Sequence, residues 1–209
     1  MKKQFWMVAL LFVIELVIVL LLVPGDFTYK AINKEAEYVE RTLGAKSRSW
    51  IHEKAAHWYQ VSMIDSGALQ AMHNHLIPTE EERLRSRGAQ NMGSQFFKWW
   101  EGRLDALAKS IYQVYARAAL VALWAPYIVV LLIPAAFDGY MTWRIKRTNF
   151  AYASPVVHRY SVRGVTTLWF VMLIAFFVPI ALDPIFIPLV LMAVCIFMGL
   201  ALGNLQKRI

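Results

Sequence analysis

A chain of 209 residues with 58% apolar residues, 14% aromatics and a positive mean hydropathy is too apolar for a soluble domain of its length, which places it in the membrane class. Its formal charge of +8 is poor support for a nucleic-acid ligand, because Lys2, Lys3, Arg144, Lys146, Arg147, Arg159, Arg163, Lys207 and Arg208 all flank apolar runs, where a positive-inside bias explains them. The single cysteine, Cys195, excludes an intramolecular disulfide and reads as a small apolar residue in a helix.

Four apolar runs are long enough to span a bilayer: Phe5 to Val23, Ala118 to Phe137, Val165 to Leu182 and Ile185 to Gly203. The first follows two lysines, as a signal peptide would. Its core is too long for an h-region, and Pro24, Gly25 and Asp26 stand where a cleavage site should be, so it reads as an uncleaved anchor. The chain then divides into a start and first span (1–23), an outer helical region (24–117), a second span (118–137), a basic aromatic link (138–164) and a hairpin of two spans with a short tail (165–209). The cations put both termini and the link on the cytoplasmic side and residues 24–117 outside. The expected fold is therefore an all-α, polytopic membrane protein with four transmembrane helices and a helical periplasmic stalk.

Glu15 is the one ionisable residue within a span, where a carboxylate costs at least ~2.5 kcal/mol. Counted by depth, Pro126 and Tyr127 lie at its level, and no Lys, Arg or His does. A protonated Glu15 can donate to the Ala122 carbonyl that Pro126 leaves unpaired, or meet the Tyr127 hydroxyl. Contact with another subunit's span, and a proton or ion site in a small transporter or channel, stay open beside that packing role.

After the first span, Phe27, Thr28 and Tyr29 form an aromatic edge, followed by a charged helix carrying Lys30, Lys34, Glu35, Glu37, Glu40 and Arg41. Gly44 interrupts it. A second helix, Ser47 to Ile64, spaces Trp50, Ile51, Ala55, Trp58, Val61 and Ile64 on one face, and Ser66 and Gly67 end it. Pro78 marks a loop, and Thr79 with Glu82 makes a capping box. The longest element is one nearly continuous helix from Phe97 to Arg147. Its outer part places Phe97, Trp100, Leu104, Leu107, Ile111, Val114 and Ala118 at alternating steps of three and four, the seam by which one helix lies along another. Its middle is the second span, where Pro126 and Pro134 predict kinks.

His52, Glu53 and His57 invite a metal reading. A zinc-peptidase helix needs its histidines four apart, whereas five puts the rings about 140° apart. His73 and His75 add no recognisable site. No phosphate loop, nucleophile elbow or dinucleotide fingerprint occurs, so neither an enzyme nor a cofactor is expected.

The link interleaves Tyr140, Trp143, Phe150, Tyr152 and Tyr160 with Arg144, Lys146, Arg147, Arg159 and Arg163, and Ser154 with Pro155 breaks the helix within it. An interfacial belt on membrane lipids and a docking surface for a cytosolic protein both fit, and direct nucleic-acid contact is the least supported. In the closing hairpin, Asp183 and Pro184 make the outer turn. Gly199 and Gly203 have the spacing that lets two membrane helices approach closely, within the chain or in a homo-oligomer.

This layout, with the run from Asp138 and Gly139 through Arg144, Arg147, Ser154, Pro155 and Tyr160, resembles the integral membrane proteins of conjugative plasmids and integrating conjugative elements, the TraJ-like group of H-type plasmids. The resemblance implies a non-enzymatic role in a type IV secretion-like DNA-transfer complex of a bacterial inner membrane. It also implies association with the coupling ATPase and other membrane proteins of that complex. It carries no catalytic residues.

Overall fold

The computed structural model describes residues 25–76, 90–149 and 151–205, together with Trp6, Leu10, Ile14 and Val17. Its helices are α1 (Gly25–Leu43), α2 (Ala45–Tyr59) running on into a π-helical stretch (Gln60–Asp65), α3 (Ala68–Leu76), α4 (Gln90–Thr148), α5 (Pro155–Phe177) and α6 (Phe186–Gly203), with no strand among the described residues. Parts of α4, α5 and α6 are long and apolar enough to cross a membrane. The first expected span lies outside the described residues except for Trp6, Leu10, Ile14 and Val17, each helical and exposed. Glu15 and the Thr79–Glu82 box also lie outside them.

The 59-residue α4 contains the whole 97–147 stretch and continues through Pro126 and Pro134. The helix at the third expected span has other bounds than the apolar run suggests. It begins at Pro155 and stops at Phe177, because Pro179 has no N–H to donate and its ring disfavours helical geometry at Val178. The turn between α5 and α6 is accordingly a longer non-helical segment.

The chain divides into two compact units, Met1–Ala119 with Phe176–Asp183, and Leu120–Ala175 with Pro184–Ile209. In the first, α1 buries Thr28, Ala31, Glu35 and Val39, a stripe at helical steps. Gly44 separates α1 from α2, and its φ of 85° is a conformation that residues with a Cβ avoid. An added Cβ would meet nothing within 4 Å, so Gly44→Ala isolates the backbone term. We expect it to destabilise the protein by ~1–3 kcal/mol in thermal unfolding of detergent-solubilised protein.

On α2, Ile51 and Ala55 are buried as their spacing suggests. Val61 and Ile64 are instead 52% and 54% exposed, and Met63 is the buried residue. The wider π turn rotates less per residue, which brings Met63 onto the Ile51–Ala55 face. The face of α4 shifts as well. Leu104 is buried, but Trp100, Leu107, Ile111, Val114 and Ala118 are only half-buried, while Ala106, Gln113, Arg117, Ala119 and Leu120 are enclosed.

The second unit is built on glycine contacts. A Cβ on Gly139 of α4 would lie 2.9 Å from the Gly199 carbonyl oxygen and from the Leu202 Cβ of α6, so the two helices meet backbone to backbone. Gly203 faces Thr142, and Gly164 of α5 lies against the Phe197 ring. The Gly199–Gly203 spacing thus serves a contact within the chain.

Candidate docking surface and a buried ionic anchor

Burial of α1 against α4 brings three polar side chains into the first unit. Glu35, Gln113 and Arg117 are all nearly inaccessible to solvent. The Arg117 Nε donates to Glu35 Oε1 at 3.0 Å and its Nη2 to Oε2 at 3.3 Å, while the Gln113 Nε2 donates to the same Oε2 at 3.0 Å. The far side of the guanidinium is occupied by backbone. Nη1 donates to the carbonyls of Phe176 (3.1 Å) and Val178 (2.7 Å), and Nη2 to that of Ile180 (2.6 Å). These carbonyls lie at the end of α5 and beyond it, where the helical ladder stops. A planar five-donor fork can serve a carboxylate and three carbonyls together, which a lysine cannot. Sequence reasoning counted Glu35 among the charges of a charged helix, without a partner, and passed over Gln113 and Arg117. The available signal was Arg117, a cation directly before an apolar run.

His52 pairs with a tyrosine, and the side chain of His75 lies outside the described residues. His52 Nδ1 and the Tyr112 hydroxyl are hydrogen-bonded at 2.6 Å, and the Tyr59 ring stands edge-on to Tyr112 at 6.0 Å. Burial, and secondarily the negative charge of Asp105, push the Tyr59 phenol above its usual range. His57 and His73 are exposed, and no three His, Cys, Asp or Glu side chains gather among the described residues. Tyr127 is 60% exposed, with its ring 5.5 Å from that of Trp124.

In the second unit, the link residues separate into three sets. Lys146 turns inward, donating from Nζ to Asn204 Oδ1 at 2.9 Å. The same oxygen accepts the Ser154 N–H at 3.2 Å, and the Asn204 amide group donates to the Leu200 carbonyl. His158 Nδ1–H donates to the Ala201 carbonyl at 2.8 Å. Ser154 caps α5 through its Oγ, with Pro155 at the first helical position, as the helix break anticipated. Together these bonds tie the loop before α5 to the end of α6.

The second set lies at the end of α4 and in the loop. Tyr140 and Trp143 pack with ring centroids 5.7 Å apart, and the Arg147 guanidinium lies over the Trp143 ring at 5.6 Å. Arg144 is exposed, and Tyr152 is 79% exposed. The third set is a stripe on α5. Arg159 and Arg163 are exposed, with Arg163 over the Tyr160 ring at 5.8 Å. Among the described residues, no carboxylate pairs with Arg144, Arg159 or Arg163.

No curated protein sequence and no solved structure matches this chain. A family model does, over residues 27–208, a range that takes in the buried anchor, the glycine contacts and the whole link. The model is described as IncC plasmid conjugative DNA transfer protein DtrJ-like, and this chain belongs to that family of conjugative DNA-transfer proteins.

Proposed function

We propose that the protein is a non-enzymatic inner-membrane component of the conjugative transfer complex, related to type IV secretion machinery, and that it holds the coupling ATPase at the cytoplasmic face. It crosses the membrane four times, with both termini inside and the α1–α3 region in the periplasm as a helical stalk. Family membership and the three membrane-length helices among the described residues support this reading. The observation that carries the docking role is the exposed Tyr152, together with Arg144 and the Tyr140–Trp143–Arg147 group. Tyr152 stands on a loop whose backbone is fixed through Asn204, and the other four side chains line the end of α4 just before it. Rigidly presented aromatics and arginines are the side chains that dominate protein interfaces.

The test is photocrosslinking from position 152 in donor cells during DNA transfer, with the captured partner identified by mass. The expected product is a crosslink to the coupling ATPase that weakens when Arg144 and Arg147 are changed to Gln. Products containing only lipid would remove the docking role.

A further inference from the structure

The α5 stripe asks for a different partner. Val156, Arg159, Tyr160 and Arg163 recur at steps of three and four and are all exposed, Val156 and Tyr160 by 60% and 63%. Their helix is itself one of the three of membrane length among the described residues. At its other end the Phe176, Val178 and Ile180 carbonyls are bound by Arg117, the cation directly before the apolar run 118–137, and on the reading that α4 and α5 cross the membrane that level is the polar edge of the bilayer. Counted from there, the uncharged part of α5, residues 164–177, is ~21 Å long, about 9 Å short of a hydrocarbon core ~30 Å thick. The missing length has to come from the turns that carry Arg163 and Arg159. Both arginines therefore sit at or just inside the headgroup level, where a guanidinium reaches out along its stem toward phosphate.

Among the described residues no carboxylate neutralises this stripe. Asp138 is the only carboxylate in the sequence of the second unit, against seven lysines and arginines, and neither Arg159 nor Arg163 pairs with a carboxylate among the described residues. The Tyr160 ring beside Arg163 adds an amphipathic surface suited to the glycerol region. We propose that Arg159, Tyr160 and Arg163 form a binding site for the phosphate of an anionic phospholipid in the cytoplasmic leaflet. The site pulls the leaflet inward to match a short α5. It rests on the reading that α5 crosses the membrane and is separate from the docking surface at Tyr152.

The experiment uses the full chain in phosphatidylcholine vesicles doped with phosphatidylglycerol. Spin-labelled phosphatidylglycerol and spin-labelled phosphatidylcholine are compared for the motionally restricted component of the spectrum. The wild type should hold the anionic label in excess of the zwitterionic one. Arg159→Gln with Arg163→Gln should reduce that excess by up to about fivefold per arginine, the factor that corresponds to about 1 kcal/mol per cation at an anionic surface. Arg159→Lys with Arg163→Lys should retain most of it and shows that the fold is intact. Equal restriction of the two labels by the wild type, or an excess that survives in the Gln pair, would overturn the site. A photocrosslinker at position 160 that captures a protein in place of lipid would overturn it too. If neither label is restricted, the membrane reading beneath the site fails.

Discussion

Replacing Arg117 with Met is expected to cost this protein ~3–5 kcal/mol of stability, the largest effect of any single side chain named above. The Glu35 carboxylate would be left buried without its cation, and the Phe176, Val178 and Ile180 carbonyls would lose their donor together. Glu35→Gln should cost less, about 1.5–3 kcal/mol. The guanidinium keeps its three carbonyls, and an amide oxygen can still accept one bond. Arg117→Lys keeps the charge but not the fork, since one ammonium cannot face Glu35 and three carbonyls at once. The informative variant is the pair Glu35→Leu with Arg117→Leu. Replacing a buried ion pair by apolar side chains is often close to neutral. Here it should remain destabilising, because each abandoned carbonyl still carries a desolvation cost of ~1–3 kcal/mol. Thermal unfolding in detergent across these four variants checks the order. If the Leu pair were as stable as the wild type, the carbonyl contacts would carry no weight and Arg117 would matter only as Glu35's partner.

Where sequence reasoning succeeded and where it failed follows from what each pattern encodes. The long continuous helix of α4 was legible because an uncharged run of that length satisfies its backbone polar groups within one helix, and Gly44 and Pro155 mark boundaries through backbone geometry that neighbours do not alter. The packed face of α4 was not legible. Counting apolar steps assigns Trp100, Leu107 and Ile111 to the seam and expels Gln113 and Arg117, yet the latter two are enclosed because α1 brings Glu35 to meet them. A polar residue in a core is recognisable only once its partner is known, and that partner lies far off in sequence. The link shows the same limit at finer grain. Composition gave one basic aromatic set, but helical phase turns Lys146 toward Asn204, leaves Arg144 exposed beside the Tyr140–Trp143–Arg147 group, and puts Arg159 and Arg163 on a different helix.

Gly139 provides the second large expected effect, because its partner across the contact is backbone and cannot turn aside. Gly139→Ala places a Cβ 2.9 Å from the Gly199 carbonyl oxygen, 2.9 Å from the Leu202 Cβ and 3.1 Å from the Gly199 Cα, so α4 and α6 have to separate. Overpacking of this kind costs ~1–3 kcal/mol, and Gly139→Val should exceed the Ala variant. Gly199 makes the control. A Cβ there meets only the Ala135 carbonyl oxygen, at 3.7 Å, an ordinary contact, so Gly199→Ala should be near neutral although both glycines belong to the same helix pair. Separation of α4 from α6 would also strain the Lys146–Asn204 and Ser154–Asn204 bonds that fix the loop carrying Tyr152. Gly139→Ala is therefore expected to lower both the midpoint of thermal unfolding in detergent and the yield of partner crosslinked from position 152, whereas Gly199→Ala lowers neither. Equal losses from the two variants would show that the close contact is spread along α6 and not centred on Gly139. A normal crosslink yield from a destabilised Gly139→Ala would show that the loop is held without this helix pair.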